Sequence, residues 1–143
     1  MTKEDCKFCK LVEREGVVSS VYEDEKVMAF LDVKPLNEGH TLVIPKAHYE
    51  NIYEIPEDEI AHVYKVVKRV AWAVKKGVAA QGISVTQHNE RAALQRVFHL
   101  HVHVIPRYEG DRLATRAPYI VYDLQEVSRE RLDATASKIK AYI

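Results

Sequence analysis

The stretch FHLHVHVIPRY, residues 98–108, decides how this chain is understood, because it places a histidine at every second position: His99, His101 and His103. Side chains of a β-strand alternate between the two faces of a sheet, so the three imidazoles are predicted to share one face. The apolar residues beside them point the other way, toward packed helices: Phe98, Leu100, Val102 and Val104. Three of only seven histidines on one face indicate a surface arranged for chemistry rather than an ordinary polar face.

Strand geometry allows two chemical interpretations of this row. Neighbouring side chains on one face are ~6.6 Å apart and the outer two ~13 Å apart, whereas zinc–nitrogen bonds measure only ~2.0–2.1 Å. Three histidines in a straight row are therefore strained as one metal site, although neighbours can share a metal. The second interpretation gives the histidines separate roles, one of them as nucleophile. Imidazole suits that role because it is partly neutral near pH 7 and also leaves easily.

The rest of the chain predicts an α+β fold in a single domain, residues 1–143. Strands are predicted before a turn at 23–25, at Val27–Leu31, and at 40–45, where Pro45 ends the strand. Residues 82–88 and 97–106 are predicted to be two further strands, paired as an antiparallel hairpin. We therefore expect an antiparallel sheet meander with one long helix and a C-terminal helix packed on it.

Apolar periodicity and end signals predict the two helices. The long helix spans 55–77, with Pro56 in its first turn and Lys75-Lys76-Gly77 at its end. Its buried stripe is expected to comprise Ile60, Val63, Tyr64, Val67, Val70, Ala71 and Val74. The C-terminal helical tail, about residues 126–143, is expected to begin at the N-cap Ser128. It should bury three apolar residues: Leu132, Ala136 and Ile139.

Composition and charge narrow the classes of partner. Lys and Arg (21) balance Asp and Glu (21), so no global charge draws the chain to nucleic acid or to an anionic membrane. No apolar run approaches the ~20 residues that span a bilayer. Residues 1–10 are charged and lack the apolar core of a signal peptide. We therefore expect a cytoplasmic protein that holds any anion in a local site.

The two cysteines of the chain, Cys6 and Cys9, have the spacing Cys-x-x-Cys. In a reducing compartment such a pair indicates metal binding or redox chemistry rather than a structural disulfide. No thioredoxin-like strand–helix context surrounds the pair, which favours metal over redox chemistry. An inert pair is the alternative.

The pattern His-φ-His-φ-His-φ-φ at residues 99–105, where φ is apolar, resembles the signature of the histidine triad nucleotide-binding family. VYEDEKVMAFLDVKPLNEGHTLVIPKAHYENIYE (21–54) is similar to the N-terminal half of that family, and GISVTQHNERAALQRVFHLHVHVIPRY (82–108) to its C-terminal half. The resemblance implies a homodimer that cleaves bonds at the α-phosphorus of purine nucleotides through a nucleotidyl-histidine intermediate and releases AMP. The implied substrates are a purine nucleoside phosphoramidate or a dinucleoside polyphosphate.

The resemblance also implies roles for single residues. His101 would be the nucleophile, and His103 would contact the phosphate and aid the leaving group. Both are therefore candidate catalytic residues as well as nucleotide contacts. The other implied nucleotide contacts are Phe30 near the base, Asp32 at the ribose hydroxyls, and four residues of the loop before the triad: His88, Asn89, Gln95 and Arg96.

That loop departs from the family pattern. Leu94 and Glu90 stand where glycine is common, and glycine permits unusual backbone angles and close approach of N–H groups to phosphate. Arg96 replaces a position that is often Ser or Thr and adds positive charge. These departures support an alternative hypothesis, a purine-nucleotide-binding protein with weak or lost catalysis.

Some members of the family begin with Cys-x-x-Cys and hold a structural zinc ion. The resemblance implies that residues 1–15 form a zinc-binding segment here. The implied ligands are Cys6, Cys9, His48 after the Ile-Pro-Lys strand end, and His99. Such a Cys₂His₂ set makes a closed tetrahedral site. It would leave His101 and His103 free for chemistry.

Overall fold

A five-stranded antiparallel sheet forms the centre of the computed structural model, which describes residues 3–114 and 124–143. The strands are β1 (Ser20–Glu23), β2 (Val27–Leu31), β3 (Thr41–Pro45), β4 (Gly82–Gln87) and β5 (Val102–Arg107). Their order across the sheet is β1-β2-β3-β5-β4, so the chain reaches the far edge as β4 and turns back to place β5 beside β3. The α-helices are α1 (Lys7–Val12), α2 (Glu57–Gly77) and α3 (Arg129–Lys140). The predicted fold class is confirmed.

Both faces of the sheet are covered at its centre, which is why every residue of β2 and β3 is buried. On one face α2 and α3 pack against the sheet, and the core there includes Ala29, Val43 and Val104. On the other face the N-terminal segment packs against alternate residues of the same strands. That second cluster comprises Cys6, Phe8, Cys9, Met28, Phe30, Leu42 and Ile44. Strands buried on two faces read as continuous apolar runs, as VMAFL and TLVIP do.

The strand β5 begins later in the sequence than the alternation of apolar residues and histidines predicted. β5 starts at Val102 rather than at residue 97, so His99 and His101 precede it. The backbone N–H of Leu100 instead donates to the carbonyl of Tyr49 at 2.7 Å, which draws this segment toward the chain that follows β3. The three histidines therefore do not form one straight row. Phe98 also lies outside the helix-side core that buries the other three alternating apolar residues.

The long helix ends at Gly77 as predicted, but two details were wrong. Pro56 is its N-cap, with extended backbone, rather than a residue of its first turn. Tyr64 is 40% exposed, whereas the buried stripe includes Val66 and Ala73 instead. At the C-terminus, Ser128 caps α3 by accepting a hydrogen bond from the N–H of Arg131, as predicted. The three apolar residues expected to be buried there are buried. Within the described ranges, no helix has both the length and the apolar character that crossing a membrane requires.

Close packing of α3 on the end of α2 leads to a prediction about Gly77. A Cβ atom at this position would lie 2.8 Å from the Cα of Ile139 and 3.0 Å from its N. Both are backbone atoms, so the clash can be relieved only by a shift of α3 against α2. Gly77→Ala should therefore lower the free energy of unfolding by about 1–3 kcal/mol. The matched control is Gly82→Ala, because a Cβ there meets nothing within 4 Å. Urea denaturation of both variants measures the difference, and equal stability of the two would contradict the packing.

Candidate functional site

A cavity of about 570 Å³ opens on the sheet face that carries the N-terminal segment. Its wall combines residues of α1, the ends of β2 and β3, the loop before the triad, and two residues of the triad, His101 and His103. Most of the residues implied as nucleotide contacts line it: Phe30, Asp32, His88, Arg96, His101 and His103. The structure thus gathers residues that are up to 73 positions apart in the sequence, from Phe30 to His103, around one space.

Two of the implied contacts, Asn89 and Gln95, are used inside the loop rather than on the cavity wall. The side chain of Gln95 is buried, accepts from the N–H of Glu90 at 2.7 Å and donates to the carbonyls of Glu50 and Val97. Asn89 accepts from the N–H of Ile52 at 2.8 Å. Both side chains therefore brace the loop against the chain that follows β3.

The loop adopts glycine-like backbone angles at the two positions where the family commonly has glycine. Glu90 has φ 72° and ψ 162°, and Leu94 has φ 71° and ψ 22°. The region occupied by Glu90 is almost exclusive to glycine, and a side chain there costs about 1–3 kcal/mol. The loop keeps its shape despite these residues because the Gln95 brace holds it.

The ring of His101 is fixed in one tautomer. Its Nδ1 lies 2.7 Å from the carbonyl oxygen of His99, which can only accept, so Nδ1 carries the proton. In the neutral ring Nε2 then keeps its lone pair. Phe8 and His103 flank the ring, with centroids at 5.3 Å and 5.0 Å. Burial lowers the pKa of His101 from its ordinary value, which favours this neutral, nucleophilic form.

His103 is set in the opposite tautomer by His40, a residue to which the sequence assigned no role. The N–H of Leu36 donates to Nδ1 of His40 at 3.1 Å, so the proton of neutral His40 sits on Nε2. That Nε2 lies 2.9 Å from Nδ1 of His103, to which it donates. His103 therefore carries its own proton on Nε2. Burial, with the neighbouring His40 and His101, lowers the pKa of His103 to about 2 and keeps it neutral.

Strand register explains why His40 was missed. His103 pairs with Leu42 across β3 and β5, and His40 lies two residues before Leu42, hence on the same face. The sequence alone does not show which strands are neighbours. A histidine directly before the third strand is the one local signal that points to it.

Permanent cations outnumber acids around the cavity, although the whole chain has no net charge. Among the described residues, the basic ones in its wall are Lys7, Lys10, Lys34, Arg96 and Arg129, against two acids, Glu15 and Asp32. Arg129 is engaged in holding the carbonyl of Val17 and the hydroxyl of Ser19. Since the buried histidines are neutral, these ammonium and guanidinium groups supply the positive potential that favours an anionic ligand.

Four potential metal-ligand atoms form a second cluster, which shares His99 with the triad. The Sγ atoms of Cys6 and Cys9 and the Nδ1 atoms of His48 and His99 all lie within 4.8 Å of one another. The distance from Cys6 Sγ to His99 Nδ1 is 3.4 Å, and that from Cys9 Sγ to His48 Nδ1 is 3.3 Å. The two Nδ1 atoms are 3.3 Å apart. The structure therefore brings together all four residues that the resemblance implied as metal ligands.

The spacing and chemistry of this set fit a tetrahedral zinc ion. Zinc–sulfur bonds of ~2.3 Å and zinc–nitrogen bonds of ~2.0–2.1 Å separate ligand atoms by about 3.3–3.8 Å, and the distances of 3.3–3.4 Å agree. His99 donates from Nε2 to the carbonyl of Pro45 at 2.8 Å, which leaves Nδ1 free to bind a metal. Burial lowers the pKa of His99 to about 4, so its ring is neutral as ligation requires.

A second group of potential ligands, formed by Asp32, His40 and His103, fits a metal less well. The two imidazole nitrogens that face each other there are only 2.9 Å apart, the length of a hydrogen bond. Because His40 already accepts a backbone N–H on Nδ1, its other nitrogen is a donor rather than a ligand. The hydrogen bond from His40 orients His103, and Asp32 lies beside this pair with its carboxylate 3.9 Å from Nε2 of His40.

Comparison with known proteins agrees with this geometry. Residues 13–110 match the HIT domain family. An uncharacterised HIT-like protein from Methanocaldococcus jannaschii is 45% identical over 126 residues, which cover 87% of this chain and 97% of that protein. The adenylylsulfatase HINT3 of Arabidopsis thaliana is 38% identical over 109 residues, which cover 76% of this chain and 55% of that protein.

Solved structures show the same fold. A HIT-like protein from Bartonella henselae has a TM-score of 0.86 and 39% identity, with 100% of each chain covered. A zinc-bound histidine triad family protein from Mycobacterium smegmatis has a TM-score of 0.83 and 32% identity, with 99% of this chain and 94% of that chain covered. The chain belongs to the histidine triad, or HIT, family.

The backbone of Glu90 leads to a stability prediction. Glu90→Gly should raise the free energy of unfolding by about 1 kcal/mol, because glycine adopts this conformation without strain. The loop hydrogen bonds of residue 90 use only its backbone and are kept. Ala92→Gly, in the same loop but with ordinary φ, is the control and should lower it by about 0.5–1 kcal/mol. A stability loss for Glu90→Gly equal to that of the control would contradict the strain.

The four-ligand cluster predicts that bound metal depends on the cysteines. The purified protein should hold one zinc ion per chain, and the double variant Cys6→Ser, Cys9→Ser should hold none, as measured by elemental analysis. The control is His103→Asn, which removes the second group of ligands and should keep the full zinc content. Zinc retained by the double variant, or lost from the control, would place the metal elsewhere.

Proposed function

We propose that this protein is a nucleotide hydrolase or transferase that cleaves at the α-phosphorus of a purine nucleoside phosphoramidate or dinucleoside polyphosphate. The observation that carries the proposal is the pair of opposite tautomers facing one cavity. His101 presents a lone pair on Nε2, and His103 presents a proton on Nε2. Substitution at phosphorus is favoured by a nucleophile next to a hydrogen-bond donor that stabilises the departing group.

The first step transfers the nucleotidyl group to the protein. Nε2 of His101 attacks the α-phosphorus, the bond from phosphorus to the leaving group breaks, and the leaving group departs with the bonding electron pair while Nε2–H of His103 donates a hydrogen bond to it. A leaving group that needs a proton, such as the amine of a phosphoramidate, takes it from solvent. Nδ1 of His101 remains hydrogen bonded to the carbonyl of His99, which stabilises the positive charge that develops on the ring. The product is a nucleotidyl-imidazole.

The second step releases the nucleotide. Water attacks the same phosphorus, the phosphorus–nitrogen bond breaks with its electron pair returning to Nε2 of His101, and the proton of the water passes to solvent. AMP leaves, and both histidines are in their starting tautomers. His40 serves as a positioning residue throughout, because its donated hydrogen bond keeps Nδ1 of His103 an acceptor.

The two ends of the cavity suit the two ends of a nucleotide. Apolar residues from α1 and β2, among them Phe8, Leu11 and Phe30, offer a surface for a purine base. Asp32 offers carboxylate oxygens to ribose hydroxyls, and one of those oxygens already accepts the N–H of Lys34. Arg96 and His88 lie on the wall with the triad and would contact phosphate oxygens.

The relatives support the reaction class. HINT3 of Arabidopsis thaliana is named as an adenylylsulfatase. Release of an adenylate from sulfate is also displacement at the α-phosphorus, with a different leaving group. Incubation with adenosine 5′-phosphoramidate, adenosine 5′-phosphosulfate and diadenosine tetraphosphate, followed by chromatography for AMP, tests the proposal and ranks the leaving groups.

The alternative function is nucleotide binding with weak or lost catalysis. The observation that favours it is the loop, where Glu90 and Leu94 replace glycine and the side chain of Leu94 lines the cavity. Titration with AMP alongside the activity assay separates the two functions. Binding without AMP release from the three substrates favours the alternative.

We also propose that the cysteine–histidine cluster holds a structural zinc ion and that the protein is a homodimer. Zinc would crosslink the N-terminal segment to the chain around the triad. For the dimer, β4 is an edge strand with an exposed Val85, and α2 exposes Trp72 and Tyr64 on one stripe. Edge strands and exposed apolar stripes favour self-association. Sedimentation velocity tests the dimer.

The assignment of the nucleophile predicts the effect of removing it. His101→Gly should reduce AMP release at least about a thousandfold, because the covalent path is lost. It should still bind AMP, since the cationic wall remains. His62→Gln is the control and should keep full activity, because His62 lies on α2, contacts Asp24 and does not line the cavity. Trapping of radiolabelled nucleotide on the wild-type protein but not on His101→Gly completes the test, and turnover by that variant would refute the assignment.

A further inference from the structure

The two residues between the cysteines of the metal cluster form part of the cavity wall. Lys7 and Phe8 occupy the x-x positions of Cys6-x-x-Cys9, and both line the cavity. Cys6 is the N-cap of α1, and its Sγ accepts a hydrogen bond from the N–H of Cys9. Because both cysteines belong to the cluster, a cation bound there clamps the turn that carries Phe8.

Phe8 is the contact between this turn and the nucleophile. Its ring is buried and meets the rings of His101 at 5.3 Å, His99 at 5.8 Å and Phe30 at 5.6 Å, each edge-on. The His101 ring is held by one hydrogen bond, at Nδ1. A single hydrogen bond leaves an imidazole free to tilt, so the ring packing of Phe8 on one side and His103 on the other sets its orientation.

The turn depends on the cluster more than the rest of the site does. The backbone hydrogen bonds of residues 6–13 with other described residues stay within residues 3–15. At six residues, α1 is too short to be stable without tertiary contacts. The segment around His99, by contrast, has its own anchors, from Leu100 to the carbonyl of Tyr49 and from His99 to the carbonyl of Pro45.

The core between the sheet and the two long helices contains no residue of α1. Loss of the cation can therefore loosen the turn while the sheet, α2 and α3 stay folded. Local opening of this kind is expected of a short segment whose backbone hydrogen bonds are all local and which only apolar packing and the cluster hold to the sheet.

From these contacts we infer that Phe8 couples the metal cluster to the nucleotide site: a cation on Cys6 and Cys9 fixes Phe8 against His101, and zinc and nucleotide therefore bind cooperatively. This inference rests on the proposed function, since it takes AMP as the ligand of the cavity. The coupling is reciprocal by thermodynamic linkage, so AMP must tighten zinc by the same factor by which zinc tightens AMP.

Calorimetric titration with AMP tests the coupling on zinc-loaded protein, on protein depleted with a chelator, and on depleted protein reloaded with zinc. Far-UV circular dichroism of the depleted protein reports whether the sheet and long helices persist. We expect AMP to bind the folded, depleted protein at least tenfold more weakly, with full recovery on reloading. Equal affinities, within twofold, in loaded and depleted protein would overturn the inference.

The effect of AMP on zinc affinity tests the same coupling, and it does so even if removal of zinc unfolds the chain. Zinc affinity is measured by chelator competition with and without saturating AMP, in wild type and in Phe8→Ala. AMP should increase the zinc affinity at least tenfold in wild type and less than twofold in Phe8→Ala. The control is Val12→Ala, a packing residue of the same helix that does not line the cavity and should keep the wild-type factor. The role of Phe8 would be overturned if AMP increased zinc affinity in Phe8→Ala as much as in wild type, or if this increase were lost in the control.

The outcomes separate this inference from the function beneath it. Absence of AMP binding to the zinc-loaded protein would refute the proposed function and the inference together. AMP affinity that is the same in zinc-loaded and zinc-depleted protein would refute only the inference. A purely structural role for Phe8 would lower stability without changing the ratio of the two zinc affinities.

Discussion

The carbonyl oxygen of His99 is the constraint on which the site depends. It accepts the proton of Nδ1 of His101, and a carbonyl can do nothing else, so the nucleophilic tautomer is built into the backbone. The side chain of the same residue donates to Pro45 and directs Nδ1 to the metal cluster. One residue thus separates the two uses of imidazole in this chain. The cluster of potential metal ligands lies on one side of it, and the ring proposed to attack phosphorus lies on the other.

A sheet buried on both faces makes this separation possible. The face under α2 and α3 holds the larger apolar core, which accounts for the stability of the sheet without using the site. The other face is free to carry histidines, the cavity and the short N-terminal segment. Because burial keeps His101 and His103 neutral, the positive potential of the cavity comes from lysine and arginine side chains. In the proposed reaction, nucleophilic and electrostatic roles are therefore held by different residues.

The loop before the triad shows how such a site tolerates unusual residues. Glu90 and Leu94 occupy backbone conformations that suit glycine, and the buried side chain of Gln95 ties the two ends of the loop together. Strain held in this way is common where a loop must present groups to a ligand. Gln95, implied by the resemblance as a nucleotide contact, contributes here through the shape of the loop, because its polar atoms are already engaged with backbone groups.

Local pattern in the sequence determined the fold class, the end of the long helix at Gly77 and the cap of α3, because periodicity and capping are written in neighbouring residues. The four residues of the metal cluster were implied by the resemblance to the family. It also singled out His101 and His103. Tertiary structure alone decided the start of β5, the position of the segment around Leu100, and the contact of His40 with His103. Those features depend on which strands lie side by side: a hydrogen bond from Leu100 to Tyr49, or from His40 to His103, joins residues more than fifty positions apart. Patterns of neighbouring residues do not predict such long-range contacts.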